Sequence, residues 1–539
     1  MPDAVDSRLP ARSEAVLGDL LEARAAEAPE LPFAVFRDEE WSRARTAAET
    51  WSIAAGLRDL GVEPGECVSS WLPNGPAGLL SWFGTNAAGG VYAPLNPAYR
   101  GTILEHTLNL AGSKVLLAHA GLVERLEGLN LEHLETVVVV GEGGRVPDRF
   151  QTLRWEDIER PGAVRPVLHE PREVWHDMAL IYTSGTTGPS KAVRCSYCHH
   201  FTYAENLLHP ELGAADRFFV CVPLFHASGT TSTYGMLARG GSVAVTAGFD
   251  TETYWDDVRK YGVTTAYIIT AMVNFLNQQP PSPNDTDNPM RVAYMGPMIE
   301  GHATFAERFG IRLWTGYAMT EIPCITRTLA PGDHRSCGTL VDPENYEARV
   351  VDTFDREVPK GQIGELIVRH RRPWALNSGY RGMPEATATA WRNGWFHTGD
   401  AFIEDEQGNF FFVDRVKDAI RRRGENISSM EVEAEVLAHP AVAEAAAFAV
   451  PSPDTQEDEV KVVLRLRPGL TLEPGELIDF LVPRMPYFMV PRYLEVMEEL
   501  PKTPSLKVEK YKLRRAGVTA ATWDRVAAGI VLKREVLPT

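Results

Sequence analysis

The chain has 539 residues, 44% of them hydrophobic and 23% charged, with a formal net charge of −18. That length exceeds one ordinary domain and allows roughly two to four units of a soluble globular protein. The acidic balance excludes nonspecific binding to nucleic acid or to an anionic membrane surface, although a local positive site can still hold an anionic ligand.

The residues up to about Ser13 are polar and predicted to fray. Val16, Leu17, Leu20, Leu21 and Ala25 have helical spacing over Ala15 to Ala28, and Pro29 stops that run. A strand over Phe33 to Phe36, a helix over Thr46 to Leu60, a strand over Cys67 to Leu72 and a helix over Pro76 to Ala88 follow. Gly89-Gly90 breaks the last of these before the apolar run from Val91 to Leu95. Then come a helix over Thr102 to Ala111 and strands over Val115 to Ala118 and Val137 to Val140. Such alternation argues for doubly wound, parallel α/β sheets.

Glu156 to Val174 is a proline-bearing connection into a buried strand at Met178 to Ile181. Further strands are predicted over Phe218 to Val222, Ser242 to Val245, Thr264 to Ile269 and Arg291 to Met295. Gln279 to Pro289 reads as an exposed loop. From Cys337 to Phe412 short strands and turns suggest a small β-rich unit. Beyond Asp418 a compact α+β domain is expected, with a helix at Ser429 to Ala438, strands at Val442 to Val450 and Lys461 to Leu466, and a helix at Pro474 to Val482. The expected division is 1–416 and 417–539.

No early segment joins a basic start, an apolar stretch and a small-residue cleavage site, and no apolar run approaches the roughly 18–20 residues that span a bilayer. Six cysteines in so long a chain do not make a disulfide scaffold. A reducing cytoplasm is the expected compartment, with no membrane partner. Cys195-Ser-Tyr-Cys198-His199 matches the C-x-x-C-H spacing of covalent haem attachment. Export has no support and a helix is expected there, so the spacing reads as coincidence.

Tyr182 to Val193 reads YTSGTTGPSKAV, and the six residues from Thr183 to Gly188 are all hydroxyl or glycine. No packed core asks for that composition. Gly185 and Gly188 let the backbone approach a ligand closely. Thr183, Ser184, Thr186 and Thr187 can ring a polyanion with short donors, and Lys191 adds a point charge. The Walker spacing is absent.

In this order of residues the loop resembles the phosphate-binding loop of adenylate-forming enzymes, the superfamily of acyl-CoA synthetases, firefly luciferase and peptide-synthetase adenylation domains. Ser190 stands where proline is common there and Ala192 where glycine is common. The GPSK form is similar to that of crotonobetaine/carnitine-CoA ligases. Four further stretches resemble the superfamily's signatures in its order. Thr315 to Glu321, TGYAMTE, implies Gly316 and Tyr317 at the adenine, Thr320 at phosphate, and Glu321 with Thr183 serving Mg²⁺; Ala318 replaces a common glycine. Gly394 to Asp400, GWFHTGD, implies that Asp400 takes the ribose hydroxyls, the alternative being a hairpin turn.

Asp414 to Ser428, DRVKDAIRRRGENIS, implies that Arg415 contacts the nucleotide and that Lys417 is a hinge between two half-reactions. It implies too that Gly424, with Glu425 and Asn426, borders the path of CoA. Arg421 to Arg423 are read as contacts to CoA phosphates or as a solvated charge run. Pro501 to Val508 implies that Lys507 reaches the attacking carboxylate and the α-phosphate, with Leu506 in place of the usual glycine. His226 in PLFHASG resembles the gate of the acyl site. Tyr294 to Met298 is shorter than the double-glycine form, and Trp314, Thr315, Ile322 and Cys324 are candidate pocket walls.

The resemblance implies a large N-terminal α/β domain of doubly wound sheets with a β-rich unit, and a smaller mobile α+β C-terminal domain. It implies an ATP-dependent acid–CoA ligase using Mg²⁺, whose partners are a small carboxylic acid and CoA. A homo-oligomer is left open. Left open too are a ligase that accepts only preformed acyl-adenylate, acylation of a separate carrier protein, and a noncatalytic nucleotide sensor.

Overall fold

The structure, a computed structural model, describes residues 6–99, 101–183, 190–415, 420–422, 425–427, 429–452, 458–485, 489–502 and 508–532. The two largest sheets have seven and thirteen strands. In the smaller, six strands run parallel from Gln151–Arg154 at one edge to Asp177–Thr183, and Lys191–Ser196 closes the other edge antiparallel. Its central strands are continuous apolar runs such as Thr136–Val140, because both faces are covered. Val68, Leu117 and Val138 point to one core, and Cys67, Leu116 and Val137 to another.

Six strands of the larger sheet are parallel, from Pro32–Phe36 through Val292–Gly296 to Arg312–Met319. Helices Tyr197–Leu207 and Ala227–Ala238 share one core with this sheet, and helices Tyr254–Lys260, Thr270–Gln278 and His302–Phe309 share another. The β-rich unit expected from Cys337 to Phe412 is present, and it continues this same sheet. The hairpin Arg312–Met319 / Ile322–Thr328 carries the ladder from parallel strands into antiparallel ones, which enclose their own core around Tyr346, Leu366, Phe396 and Phe402.

The C-terminal part is α+β. Four strands in the order Val442–Pro451, Asp458–Leu466, Tyr493–Val496 and Trp523–Asp524 pack with helices Ser429–Leu437 and Pro474–Leu481. Lys461, almost fully buried there, is paired with Glu495 at 2.6 Å and donates to the Gly517 carbonyl at 2.7 Å. Among the described residues, no helix is long and apolar enough to cross a membrane.

Two local expectations change. The first helix is broken at Val16 into Arg12–Ala15 and Leu17–Glu27. Past the glycine-rich loop the chain forms a strand, Lys191–Ser196, before the helix begins. Ser196 caps that helix, its hydroxyl accepting from the His199 amide at 3.0 Å. Cys195 therefore lies on a strand and Cys198 on a helix. Both are buried, and their thiols donate to the carbonyls of Val193 and Pro373.

Candidate active site

The candidate residues fall at the end of a parallel strand, on a hairpin turn and within an antiparallel strand. Thr183 ends one parallel strand, and its cross-strand partner is Lys191. That pair brackets the hydroxyl-and-glycine loop. Ser184, Gly185, Thr186, Thr187 and Gly188 themselves lie outside the described residues, as do Lys417, Gly424 and Lys507.

Thr320 and Glu321 form the two-residue turn between Met319 and Ile322, which pair across the hairpin. Tyr380 donates its hydroxyl to Glu321 Oε1 at 3.1 Å, and the carboxylate is only 5% exposed. The Asn377 amide and side-chain Nδ2 both donate to the Glu321 carbonyl, at 3.1 and 2.9 Å. Asn377 is held in turn by Gly379 N–H and Trp391 Nε1–H. The turn is thus fixed from outside its own hairpin.

The strap that supplies Asn377 and Tyr380 is laced to the strand after the glycine-rich loop. Ser378, Arg194 and Arg381 amides each make a 2.9 Å bond across it. Lys191 Nζ sits 4.7 Å from the centre of the Tyr380 ring, a cation–π contact. One tyrosine therefore touches both the lysine beyond the loop and the carboxylate of the turn. Burial, and then the neighbouring Glu321 charge, raise the Tyr380 hydroxyl pKa above its ordinary value, so it stays a donor. Tyr380 was not identified from the sequence. The signal was there: Asn377 to Gly382 is a polar and glycine run around a single aromatic, a composition a packed core would not request.

Asp400 lies within the nine-residue strand Phe396–Glu404, not in a hairpin turn. Gly399 adopts φ +70°, which a side chain would strain. Its amide donates to Glu365 Oε1 at 3.0 Å, while Glu365 Oε2 accepts from Arg392 and from the His397 ring. Thr398 hydroxyl accepts the Asp400 amide and donates to the Leu366 carbonyl. So the Asp400 backbone is anchored on both sides. Its Oδ2 accepts from the Tyr317 hydroxyl at 2.6 Å, a short charge-assisted bond inside the protein. Arg415 stands directly across the ladder from Asp400.

Tyr317 is buried, its ring centred 4.7 Å from Phe402 and 6.3 Å from Phe412. Burial and the Asp400 charge push its hydroxyl pKa well upward. Gly316 beside it has no room for a side chain, since a Cβ there would lie 2.2 Å from the Thr326 carbonyl oxygen. His226 is the N-cap of helix Ala227–Ala238, partly exposed with its ring 4.6 Å from Phe225. Trp314 and Cys324 belong to the core, Trp314 donating its indole N–H to the Leu207 carbonyl. Glu425 and Asn426 fall on the short strand Glu425–Ile427, paired with Ile420–Arg422.

The structure thus sets one carboxylate on a fixed turn and another inside an antiparallel strand, each against a tyrosine, with a lysine bracketing a glycine-rich loop. This is the equipment of an enzyme that handles a nucleotide. Two family models match the chain, the AMP-binding enzyme model over residues 21–380 and the AMP-binding enzyme C-terminal domain over 431–507. The chain belongs to the AMP-binding enzyme family.

Among curated proteins it is similar to the crotonobetaine/carnitine–CoA ligases of Citrobacter koseri and Salmonella enteritidis. The identities are 29% over 464 residues and 30% over 468, each covering 84% of this chain and 89% of the relative. Among solved structures it is similar to ATP-bound MatB of Rhodopseudomonas palustris, with a TM-score of 0.81 and 25% identity over 93% of this chain and 98% of that one.

Proposed function

We propose that this protein is an acid–CoA ligase that forms an acyl-AMP from ATP and a carboxylic acid, releases pyrophosphate, and transfers the acyl group to the CoA thiol. The observation that carries the reading is the paired assembly: Tyr317 with Asp400, and Lys191 with Tyr380 and Glu321. One pair suits a nucleoside and the other a polyphosphate. The names of the crotonobetaine/carnitine–CoA ligases support the choice of CoA as acceptor.

In this reading Asp400 takes the ribose hydroxyls, and Arg415, on the neighbouring strand, meets the nucleotide. Gly316 and Tyr317 border the base. Thr183, Ser184, Gly185, Thr186, Thr187, Gly188 and Lys191 surround the phosphates, with Thr320 at the α-phosphate. His226 borders the acid. Lys507 meets the attacking carboxylate during adenylation, and residues 417–539 then turn about Lys417 so that Gly424, Glu425 and Asn426 border the incoming CoA. The adenylate already carries its leaving group, so no protein nucleophile is required. A cytoplasm supplies both ATP and CoA.

The donor set fits magnesium held largely by its substrate. Mg²⁺ keeps several waters and takes one or two protein oxygens beside phosphate oxygens. Glu321 offers one buried carboxylate on a fixed turn, with Thr183 nearby in the reading, and no cluster of three acidic, His or Cys ligands occurs among the described residues. When bound, the ion would offset phosphate charge; Tyr380 holds the carboxylate and Asn377 the backbone of its turn.

Tyr380→Phe keeps the ring under Lys191 and deletes the hydrogen bond to Glu321. A bond to a charged group contributes about 1.5–3 kcal/mol. The expected result is roughly tenfold weaker ATP binding with Mg²⁺ present and little change without it, read by calorimetric titration. Equal weakening in both conditions would assign Tyr380 to packing alone.

The function itself is tested by incubating the protein with ATP, CoA and a panel of aliphatic, aromatic and polycyclic acids. Acid-dependent release of AMP and pyrophosphate with acyl-CoA formation is the expected result. Thioester formed only from supplied acyl-AMP would overturn the adenylating reading and leave the second half-reaction alone. Transfer to a carrier protein but never to CoA would replace the acceptor. Nucleotide binding with neither product would leave a sensor.

A further inference from the structure

We propose that His397 is a positioning residue for Asp400: acting through Glu365, it pins the bulge that aims the aspartate at the nucleotide's ribose. The proposal rests on the ligase reading above, which gives Asp400 the ribose hydroxyls, and adds what fixes that contact.

Strand register carries the argument. Strands Gly364–His370 and Phe396–Glu404 pair at Glu365 with Ala401 and again at Ile367 with His397. Between those pairs Leu366 alone stands opposite Thr398, Gly399 and Asp400. The second strand therefore bulges away from the first at Asp400, and bulges of this kind re-aim a side chain. Amides that leave a ladder need other partners. The Asp400 amide donates to the Thr398 hydroxyl at 3.1 Å, and the Gly399 amide to Glu365 Oε1 at 3.0 Å. Side chains hold this bulge.

Glu365 can hold its end only if its carboxylate is itself oriented. Oε2 accepts from His397 Nδ1 at 3.0 Å and from Arg392 Nη2 at 2.9 Å. A carboxylate paired with arginine only accepts, so the imidazole carries a proton on Nδ1. The Arg392 side chain is 39% exposed, and an ion pair so open to water contributes little. The His397 side chain is 2% exposed and has little freedom to move. The buried ring sets the aim.

Its other nitrogen does not share the task. Nε2 is buried 3.7 Å from Asp355 Oδ2, beyond hydrogen-bond reach. Asp355 accepts instead from Arg392 and from the Asn393 side chain. The positioning therefore falls to Nδ1 alone.

The probes are AMP and 2′,3′-dideoxy-AMP, titrated calorimetrically into wild type, His397→Leu, His397→Asn and His397→Gln. An asparagine amide nitrogen stands in for Nδ1, and a glutamine one for Nε2. Wild type should bind AMP about tenfold or more tighter than the dideoxy nucleotide, the scale of a hydrogen bond to a charged group. His397→Leu should weaken AMP about tenfold and the dideoxy nucleotide by less than about twofold, because only the ribose contact depends on the bulge. His397→Asn should restore AMP binding to within about threefold of wild type, and His397→Gln should not.

Equal weakening of both nucleotides in His397→Leu would make the histidine a packing residue and overturn the proposal. So would a folded His397→Leu variant that keeps the wild-type preference for AMP. Should His397→Leu not fold, the other two decide: equal AMP affinity in His397→Asn and His397→Gln overturns the role of Nδ1. A wild type that binds the two nucleotides alike sinks the ribose assignment of Asp400 and takes the proposal with it. Wild type alone thus separates failure of that reading from failure of the positioning.

Discussion

Alanine at position 507 is expected to lower acyl-adenylate formation by about 10²–10³-fold, the size of effect seen when one preorganised donor is removed from a developing charge. The lysine belongs to the stretch Pro501 to Val508, which resembles a superfamily signature, and it is the last residue of the matched C-terminal family region. Its ammonium would offset the charge that builds as carboxylate attacks the α-phosphate. Thioester formation from supplied acyl-AMP should hardly change, because the proposed cycle withdraws the lysine before that step. Leu506 makes the measurement decisive: a bulky residue in place of glycine restricts the backbone that presents Lys507. Pyrophosphate exchange in wild type and variant is the readout. Equal exchange in both would remove Lys507 from the chemistry.

The sequence was most legible where composition and burial agree. Runs of β-branched residues such as Val137 to Val140, buried on both faces, announced parallel strands to within a residue or two. Edge strands gave no such signal. Gln151–Arg154 is largely exposed and holds its place by backbone pairing to Thr136–Val140, and Glu39–Ser42 pairs with Pro32–Phe36 and buries only Trp41. Lys191–Ser196 was hidden because a helix is expected at Cys195 to His199, whereas the helix starts only after its Ser196 cap and a strand precedes it.

Site residues divided along the same line. Glu321 and Asp400 stood out because each sits in a stretch that resembles a superfamily signature, TGYAMTE and GWFHTGD. Their pairings did not, since Tyr380 lies 59 positions beyond Glu321 and Tyr317, itself singled out, lies 83 before Asp400. Tyr317 and Asp400 are brought together by the antiparallel strands beyond the hairpin, and Tyr380 and Glu321 by the strap laced to Lys191–Ser196. Local pattern carries no record of such a meeting.

Asp400→Ala is expected to weaken ATP and AMP binding by about 2–3 kcal/mol, or roughly 30–150-fold in Kd. The carboxylate sits in a strand whose backbone is fixed by Thr398 and by Glu365 through Gly399, so a ribose would meet it with little reordering. The same substitution strips the buried Tyr317 hydroxyl of its 2.6 Å acceptor. Orphaning a buried donor costs about 1–3 kcal/mol of stability, and the variant should melt earlier for that reason alone. Tyr317→Phe separates the two effects. It removes the hydroxyl and keeps Asp400, so it should leave ribose recognition largely intact. The double variant Tyr317→Phe with Asp400→Ala should recover part of the lost stability and none of the lost affinity. Calorimetric titration with AMP, beside thermal melts of all three, reads both quantities. Unchanged AMP affinity in a folded Asp400→Ala variant would make the aspartate a structural partner of Tyr317 and move the ribose elsewhere.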